Sequence, residues 1–124
     1  MYETLDQLRE FVFVDVGVLQ DGELTLAVTQ RAPLNLFTGH VPAYEFDMHL
    51  QGVHESVGRI SLRVGNTPDV VMYLGHIGYG VDLMYRGKHL AARSCRLLLP
   101  LATSHHLDPV WITCNPDNWA SRRT

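Results

Sequence analysis

The sequence is poor in cysteine and in long apolar runs, and each shortage argues against a class of protein. Its two cysteines, Cys95 and Cys114, lie far apart and in no metal-type pair. A reduced, intracellular protein is therefore expected, and not a disulfide framework. Seven histidines occur without ligand spacing, so we expect no metal site. No apolar stretch approaches the ~20 residues of a membrane span.

The sequence also has little clustered positive charge. Its net charge is −3, with 10 Lys and Arg residues against 13 Asp and Glu residues. Phosphate backbones usually need clustered basic residues, so we expect no nucleic acid partner. The N-terminus shows no positive region before an apolar run, so we expect no signal peptide. We predict a cytoplasmic protein without membrane attachment.

Apolar patterning predicts a single α/β (α+β) domain over residues 1–124. The first part, 1–20, mixes helical spacing with strand formers, and we expect an irregular or helical lead-in. Period-two alternation then predicts strands over 23–30, 44–50 and 57–64, and we expect a fourth strand over roughly 72–81. Four successive strands indicate an antiparallel meander across 23–81.

The pattern changes to helical after the meander. Between Lys88 and Ser104 the apolar residues recur at i, i+4, i+7 and i+11, which predicts an amphipathic helix. Val110 to Thr113 forms a short apolar strand, and a turn then leads into a new helix at Trp119. We therefore divide the second half into a loop and helix over 86–104, and a strand with the start of a further helix over 110–124.

The unit that carries chemistry is the loop between the fourth strand and the long helix. The first N–H groups of a helix have no partner within it, and the helix dipole favours negative charge there. Gly87 lets the backbone approach a ligand closely, and Arg86 and Lys88 add positive charge. The unit fits a phosphate or pyrophosphate site; the alternative is a solvated surface turn. It is neither a nucleotide triphosphate loop nor a dinucleotide fingerprint.

Three motifs in order resemble those of GNAT acetyltransferases. Tyr85-Arg86-Gly87-Lys88-x-x-Ala91 resembles the family's pyrophosphate loop, Arg/Gln-x-x-Gly-x-Gly/Ala, although His89 stands where the family usually has Gly. Gly75 to Val81 resembles the family's fourth strand. Trp111 to Ser121 resembles the fifth strand and the Asn-x-x-Ser start of the next helix. The resemblance covers about Gly58 to Thr124 and implies a mixed, largely antiparallel sheet flanked by helices.

The resemblance also implies a reaction and a set of binding residues. The reaction would be direct attack by a small-molecule or peptide amine on the thioester of acetyl-CoA; the alternative is a non-catalytic CoA-binding module or an inactive truncated domain. Backbone amides of the loop would hold the pyrophosphate: Arg86, Gly87, Lys88, His89, Leu90 and Ala91. Gly80, Val81 and Asp82 would pair with the pantetheine arm. Asn118 and Ser121 would contact that arm or shape the acetyl pocket.

Two further features have a functional and a structural interpretation. His76, on the strand beside the expected acetyl site, is either the general base or a histidine hydrogen-bonded within the sheet. Glu45, Asp47 and His49 share one strand face, which either lines an amine-binding cleft or is simply hydrated.

The family domain normally continues through a helix and two strands beyond the point where this sequence stops. We therefore expect the C-terminal helix and strands to be missing, and the general acid to lie beyond Thr124. The strand from Val110 to Thr113 would then have an unpaired edge, which favours a homodimer formed across it.

Overall fold

A five-stranded antiparallel sheet forms the centre of the computed structural model, which describes residues 2–107 and 109–112. Neighbours along the chain are also neighbours in the sheet. The strands are β1 (Leu19–Asp21), β2 (Leu24–Ala32), β3 (Ala43–Leu50), β4 (Gly58–Arg63) and β5 (Ile77–Val81). An isolated bridge between Ile77 and Ile112, outside the five strands, adds one parallel contact at the edge of β5. The predicted fold class, a mixed and largely antiparallel sheet with a helix, is confirmed.

One face of the sheet carries the hydrophobic core. Side chains alternate along a strand, so residues paired across strands share a face. Phe46 lies opposite Val28 on one side and Ile60 on the other. Buried residues of this face include Leu24, Leu26, Tyr44, Phe46, Met48, Ile60 and Leu62. The opposite face is polar.

The helix α1 (Leu90–Ser104) covers the apolar face. Ala91, Cys95, Leu98 and Ala102, the four residues that predicted its buried stripe, are all buried. Burial raises the pKa of the Cys95 thiol to about 11, so this sulfur remains protonated within the core. No helix in the described part of the chain is long and apolar enough to cross a membrane.

The predicted fourth strand begins too early. Val70–Leu74 form a π-helical turn, and β5 starts only at Ile77. Gly75 ends the turn with a φ of 77° and donates its N–H to the Val70 carbonyl at 2.7 Å. The Arg63 guanidinium on β4 binds the carbonyl oxygens of Leu74 and Gly75 at 3.3 and 3.1 Å. These tertiary bonds favour a turn over the first residues of the stretch that the sequence predicted to be a strand.

The N-terminal segment agrees with the expected lead-in at one point and departs from it at another. Leu5–Leu8 form a short 3-10 helix with a capping box between Thr4 and Gln7, and irregular chain follows. The three-residue strand β1 was not predicted, and it pairs with β2 through Leu19 and Leu26.

Candidate functional site

The candidate site lies where the chain leaves β5 and turns into α1. After β5, Asp82 donates its backbone N–H to the Val57 carbonyl at 2.9 Å, which fixes the end of the strand. A short 3-10 helix, Leu83–Tyr85, follows. Residues 86–89 then connect it to the first residue of α1, so the order strand, basic loop and helix holds in the structure.

The loop owes its shape to two residues with a left-handed backbone. Gly87 has a φ of 87°, and His89, directly before α1, has a φ of 58° and a ψ of 26°. L-residues rarely adopt this region, although His is among those that tolerate it better. His89 thus adopts a conformation that glycine adopts more readily, at the position where the resemblance expects a glycine. His89 is exposed and lies outside the helix.

The backbone at the start of α1 presents donors without helical partners. The first hydrogen bond of the helix runs from the Arg93 N–H to the His89 carbonyl at 3.0 Å. Leu90, Ala91 and Ala92 precede that donor, so their N–H groups have no carbonyl one turn earlier in the helix. No side chain caps this end of α1 among the described residues. The loop and helix start can therefore receive an anionic group.

The two basic side chains of the loop have defined positions. Arg86 donates through Nε to the Val81 carbonyl at 3.0 Å. The Lys88 Nζ lies 5.6 Å from the centre of the Tyr85 ring, within range of a cation–π contact. Both side chains are exposed, so either can move to meet an anion.

A third cation near the loop is already neutralised. Arg93 in the first turns of α1 donates to Asp21 Oδ2 and Glu23 Oε1, both at 2.8 Å. The hydrogen bond from Arg93 is the main reason that the pKa of Glu23 falls to about 2, and the charge of Lys88 adds to the effect. Neither Arg86 nor Lys88 forms an ion pair within the described part of the chain, so these two residues supply the loop's remaining positive charge.

The β5 backbone decides which of its residues can meet a ligand at the strand edge. Antiparallel strands hydrogen-bond through alternate residues. Asp82 donates to Val57 of the chain next to β4, and Gly80 pairs with Arg59, so both direct their backbone groups toward β4. Val81 has the opposite direction, as does Ile77, whose N–H donates to the Trp111 carbonyl at 3.1 Å. Of Gly80, Val81 and Asp82, Val81 presents its backbone to the edge.

His76 is fully buried at the start of β5, and both of its ring nitrogens are engaged. Nδ1 accepts from the Trp111 backbone N–H at 3.0 Å, and Nε2 lies 2.8 Å from Asn66 Oδ1. Burial lowers the pKa of His76, while the Gly65 backbone and the Glu3 charge oppose the shift. A general base needs a free ring nitrogen, so this environment favours the second interpretation of His76, a histidine hydrogen-bonded within the sheet.

The polar face of the sheet carries a shallow cleft of about 580 Å³. Glu45 and Asp47 line it, together with Arg59, Ser61, Arg63 and the glycines Gly78 and Gly80, whereas His49 does not. Asp47 lies 4.0 Å from the highly exposed Arg59, which is a weak ion pair in water. Acidic and basic side chains thus both line the cleft, so it is neither uniformly negative nor uniformly positive.

The structure brings together several of the residues predicted to bind the cofactor, and two others lie outside the residues it describes. Arg86 to Ala91 form one continuous loop and helix start, with Val81 linked to it through Arg86. Asn118 and Ser121 lie outside the described residues. Sequence reasoning missed Asn66, Trp111 and Arg93 as organisers of the site, because their partners are distant in the chain. Among the residues described, no group of three His, Cys, Asp or Glu side chains is arranged to hold a metal ion.

Comparison with protein families agrees with this geometry. Residues 3–124 match the family described as Acetyltransferase (GNAT) domain. Because the match spans nearly the whole sequence, the chain belongs to the GNAT acetyltransferase family. Comparison with curated proteins and with solved structures gives no match.

Proposed function

We propose that this domain transfers an acetyl group from acetyl-CoA to the amine of a small molecule or peptide in the cytoplasm. The observation that supports the donor most directly is the left-handed pair Gly87 and His89 ahead of α1, followed by three N–H groups without helical partners. Free N–H groups at a helix start suit an anionic pyrophosphate, and here they occur in a chain of the GNAT family.

We assign the pyrophosphate and the pantetheine arm of the cofactor to separate parts of the chain. The amides from Arg86 to Ala91 would hold the pyrophosphate. Val81 would pair with the pantetheine arm as with an added strand, in place of the Arg86 guanidinium that binds its carbonyl here. Gly80 and Asp82 flank that contact, and Asn118 and Ser121 would contact the arm or the acetyl pocket. Bound acetyl-CoA supplies an activated thioester for the incoming amine.

A second candidate function is CoA binding without turnover. It is favoured by His76, because the histidine nearest the expected acetyl site has no ring nitrogen free to take a proton. The cleft beside β5 offers Glu45 and Asp47 as alternative carboxylates for a cationic amine, which keeps transfer the first choice.

Replacing Gly87 by Val tests the cofactor site. A branched side chain at this position should block close approach of the pyrophosphate and weaken acetyl-CoA binding more than tenfold, or about 1.4 kcal/mol. The change also strains the backbone, because φ is 87°. Gly17→Val is the matched control, since Gly17 has a φ of 67° and equally open surroundings. Calorimetry should show weaker binding only in the Gly87 variant, and unchanged affinity there would reject the site.

An amine panel separates the two functions. Wild-type protein is incubated with acetyl-CoA and each amine, and products are detected by mass. Acetylated product that disappears in Gly87→Val supports transfer, whereas binding without any product supports the second candidate.

A further inference from the structure

His76 holds one residue of a distant segment at two points. Its backbone N–H donates to the Trp111 carbonyl at 2.7 Å, and its ring Nδ1 accepts from the Trp111 N–H at 3.0 Å. The next residue, Ile77, also donates to the Trp111 carbonyl, at 3.1 Å. Both polar groups of the Trp111 backbone are thus bound, the N–H by His76 directly before β5 and the carbonyl by His76 and Ile77.

These contacts define the protonation state of the ring. A backbone N–H can only donate, so Nδ1 must carry a lone pair. The ring is then neutral, its proton lies on Nε2, and Nε2 donates to Asn66 Oδ1 at 2.8 Å. The other tautomer and the imidazolium would both set two donors against each other at Trp111.

The same ring is anchored on its far side. Asn66 donates its backbone N–H to Glu3 Oε1 and accepts from the Glu3 N–H, both at 2.8 Å. A hydrogen-bonded chain therefore runs from Glu3 through Asn66 and His76 to Trp111. It connects the N-terminal segment, the loop after β4, the start of β5 and the Trp111 segment, and His76 within it is fully buried. Buried polar groups in such a chain are costly to leave unpaired.

We propose that His76 is a positioning residue whose neutral imidazole fixes Trp111 beside the start of β5 and so holds the strand edge at which the acetyl donor binds. The second half of this statement rests on the proposed function, since it takes Val81 on the same edge of β5 as a contact of the donor. The role differs from general base catalysis because the ring touches protein groups on both sides.

Acidification should open this connection. Protonation of Nδ1 removes the acceptor for the Trp111 N–H and places a cation at a buried position whose two ring nitrogens face Trp111 and Asn66. The carboxylate of Glu3 accepts from the Asn66 N–H and so lies one residue away from the ring. The other nearby charge, the Arg63 guanidinium on β4, donates to the Leu74 and Gly75 carbonyls. Burial lowers the pKa of His76, in the direction expected for a ring held neutral.

Nitrogen-15 NMR of the histidine rings in the full chain tests the first half. At pH 7 the His76 ring should be neutral with its proton on Nε2, and the Trp111 amide should be protected from hydrogen exchange. At pH 5 that protection should fall by about tenfold beyond the intrinsic effect of pH. A ring protonated on Nδ1 at pH 7, or protection that does not change with pH, would overturn the proposal.

Two variants separate the two sides of the ring. His76→Asn keeps an acceptor near the Nδ1 position, and His76→Gln keeps a donor near the Nε2 position. Trp111 protection should survive in His76→Asn and be lost in His76→Gln. Equal protection in the two folded variants would contradict the assignment, and if neither variant folds, the wild-type ring state and exchange still decide it.

Acetyl-CoA affinity across the same pH range tests the second half. We expect acetyl-CoA affinity to fall together with protection of the Trp111 amide between pH 7 and pH 5. In His76→Gln, affinity should already be reduced at a higher pH than in wild type. Acetyl-dephospho-CoA is the control ligand, because the 3′-phosphate of CoA itself titrates near pH 6. If acetyl-CoA affinity stays constant while the exchange protection of the Trp111 amide falls, the positioning role is overturned but the proposed function stands. Absence of binding at every pH refutes the proposed function, and with it the second half of this proposal.

Discussion

His89 determines the direction in which the chain enters α1. Its left-handed backbone places the helix start after a sharp turn, and its exposed side chain is not needed to make that turn. A non-glycine residue in this region carries a backbone cost of about 1–2 kcal/mol. The sequence therefore keeps a strained residue at the centre of the candidate pyrophosphate loop, which is typical of binding sites.

Replacing His89 should reveal this cost. His89→Gly should be more stable than His89→Ala by about 1 kcal/mol, because only glycine adopts a positive φ without strain. The exposed residue Arg96 inside α1 is the control. There the Ala variant should be more stable to unfolding than the Gly variant by about 1 kcal/mol. Urea unfolding of the four variants measures both differences. The same order at both positions would show that His89 is an ordinary helical residue.

At the scale of elements, α1 is fastened to the β1–β2 turn by Arg93. Its guanidinium binds Asp21 through Oδ2 and through the backbone carbonyl, and binds Glu23 through one carboxylate oxygen. The contact lies one turn from the candidate pyrophosphate loop. We infer that β1 and β2 hold the helix start in place relative to the sheet.

Removing this clamp should change how stability depends on pH. The pKa of Glu23 lies at about 2 in the folded protein, against an ordinary value of 4.5 for this side chain. A lowered carboxyl pKa contributes stability above the unfolded pKa, and that contribution is lost as the pH falls toward the folded one. Arg93→Met should therefore be less stable than wild type at pH 6, with a difference that shrinks as the pH falls from about 4.5 toward 2.

Urea unfolding at a series of pH values measures this difference. The effect should be modest and should weaken with added salt, because the carboxylates are half exposed. Glu23→Gln should reproduce most of it. A difference that is the same at every pH would show that Arg93 acts through packing instead of charge.

The elements that sequence predicted are those whose signal is local. Alternation over β2, β3 and β4 and the stripe on α1 come from neighbouring residues, so they could be read directly. The early start assigned to the fourth strand was wrong, because Val70–Leu74 form a turn whose last carbonyls, those of Leu74 and Gly75, are bound by the distant Arg63. The partners of His76 lie 10 and 35 residues away, and no local pattern indicates them.

At the scale of the molecule, the N-terminal segment is attached at two distant places. Glu3 binds Asn66 and so reaches His76, while the Val14 N–H donates to the Tyr44 hydroxyl at 2.8 Å. That hydroxyl lies 2.7 Å from His105 Nε2 at the end of α1. The lead-in thus connects the β5 end of the sheet with the end of the helix, and we propose that residues 1–124 act as one domain.

The central claim is that acetyl-CoA binds at the loop before α1, and an amide NMR titration tests it most directly. With acetyl-CoA added to the labelled chain, the largest shifts should fall on the amides of Gly87 to Ala92, with a second group at Val81. Amides of the polar cleft, such as Asp47 and Ser61, should shift less. Saturation with the largest shifts in that cleft, or no shifts at all, would contradict the account.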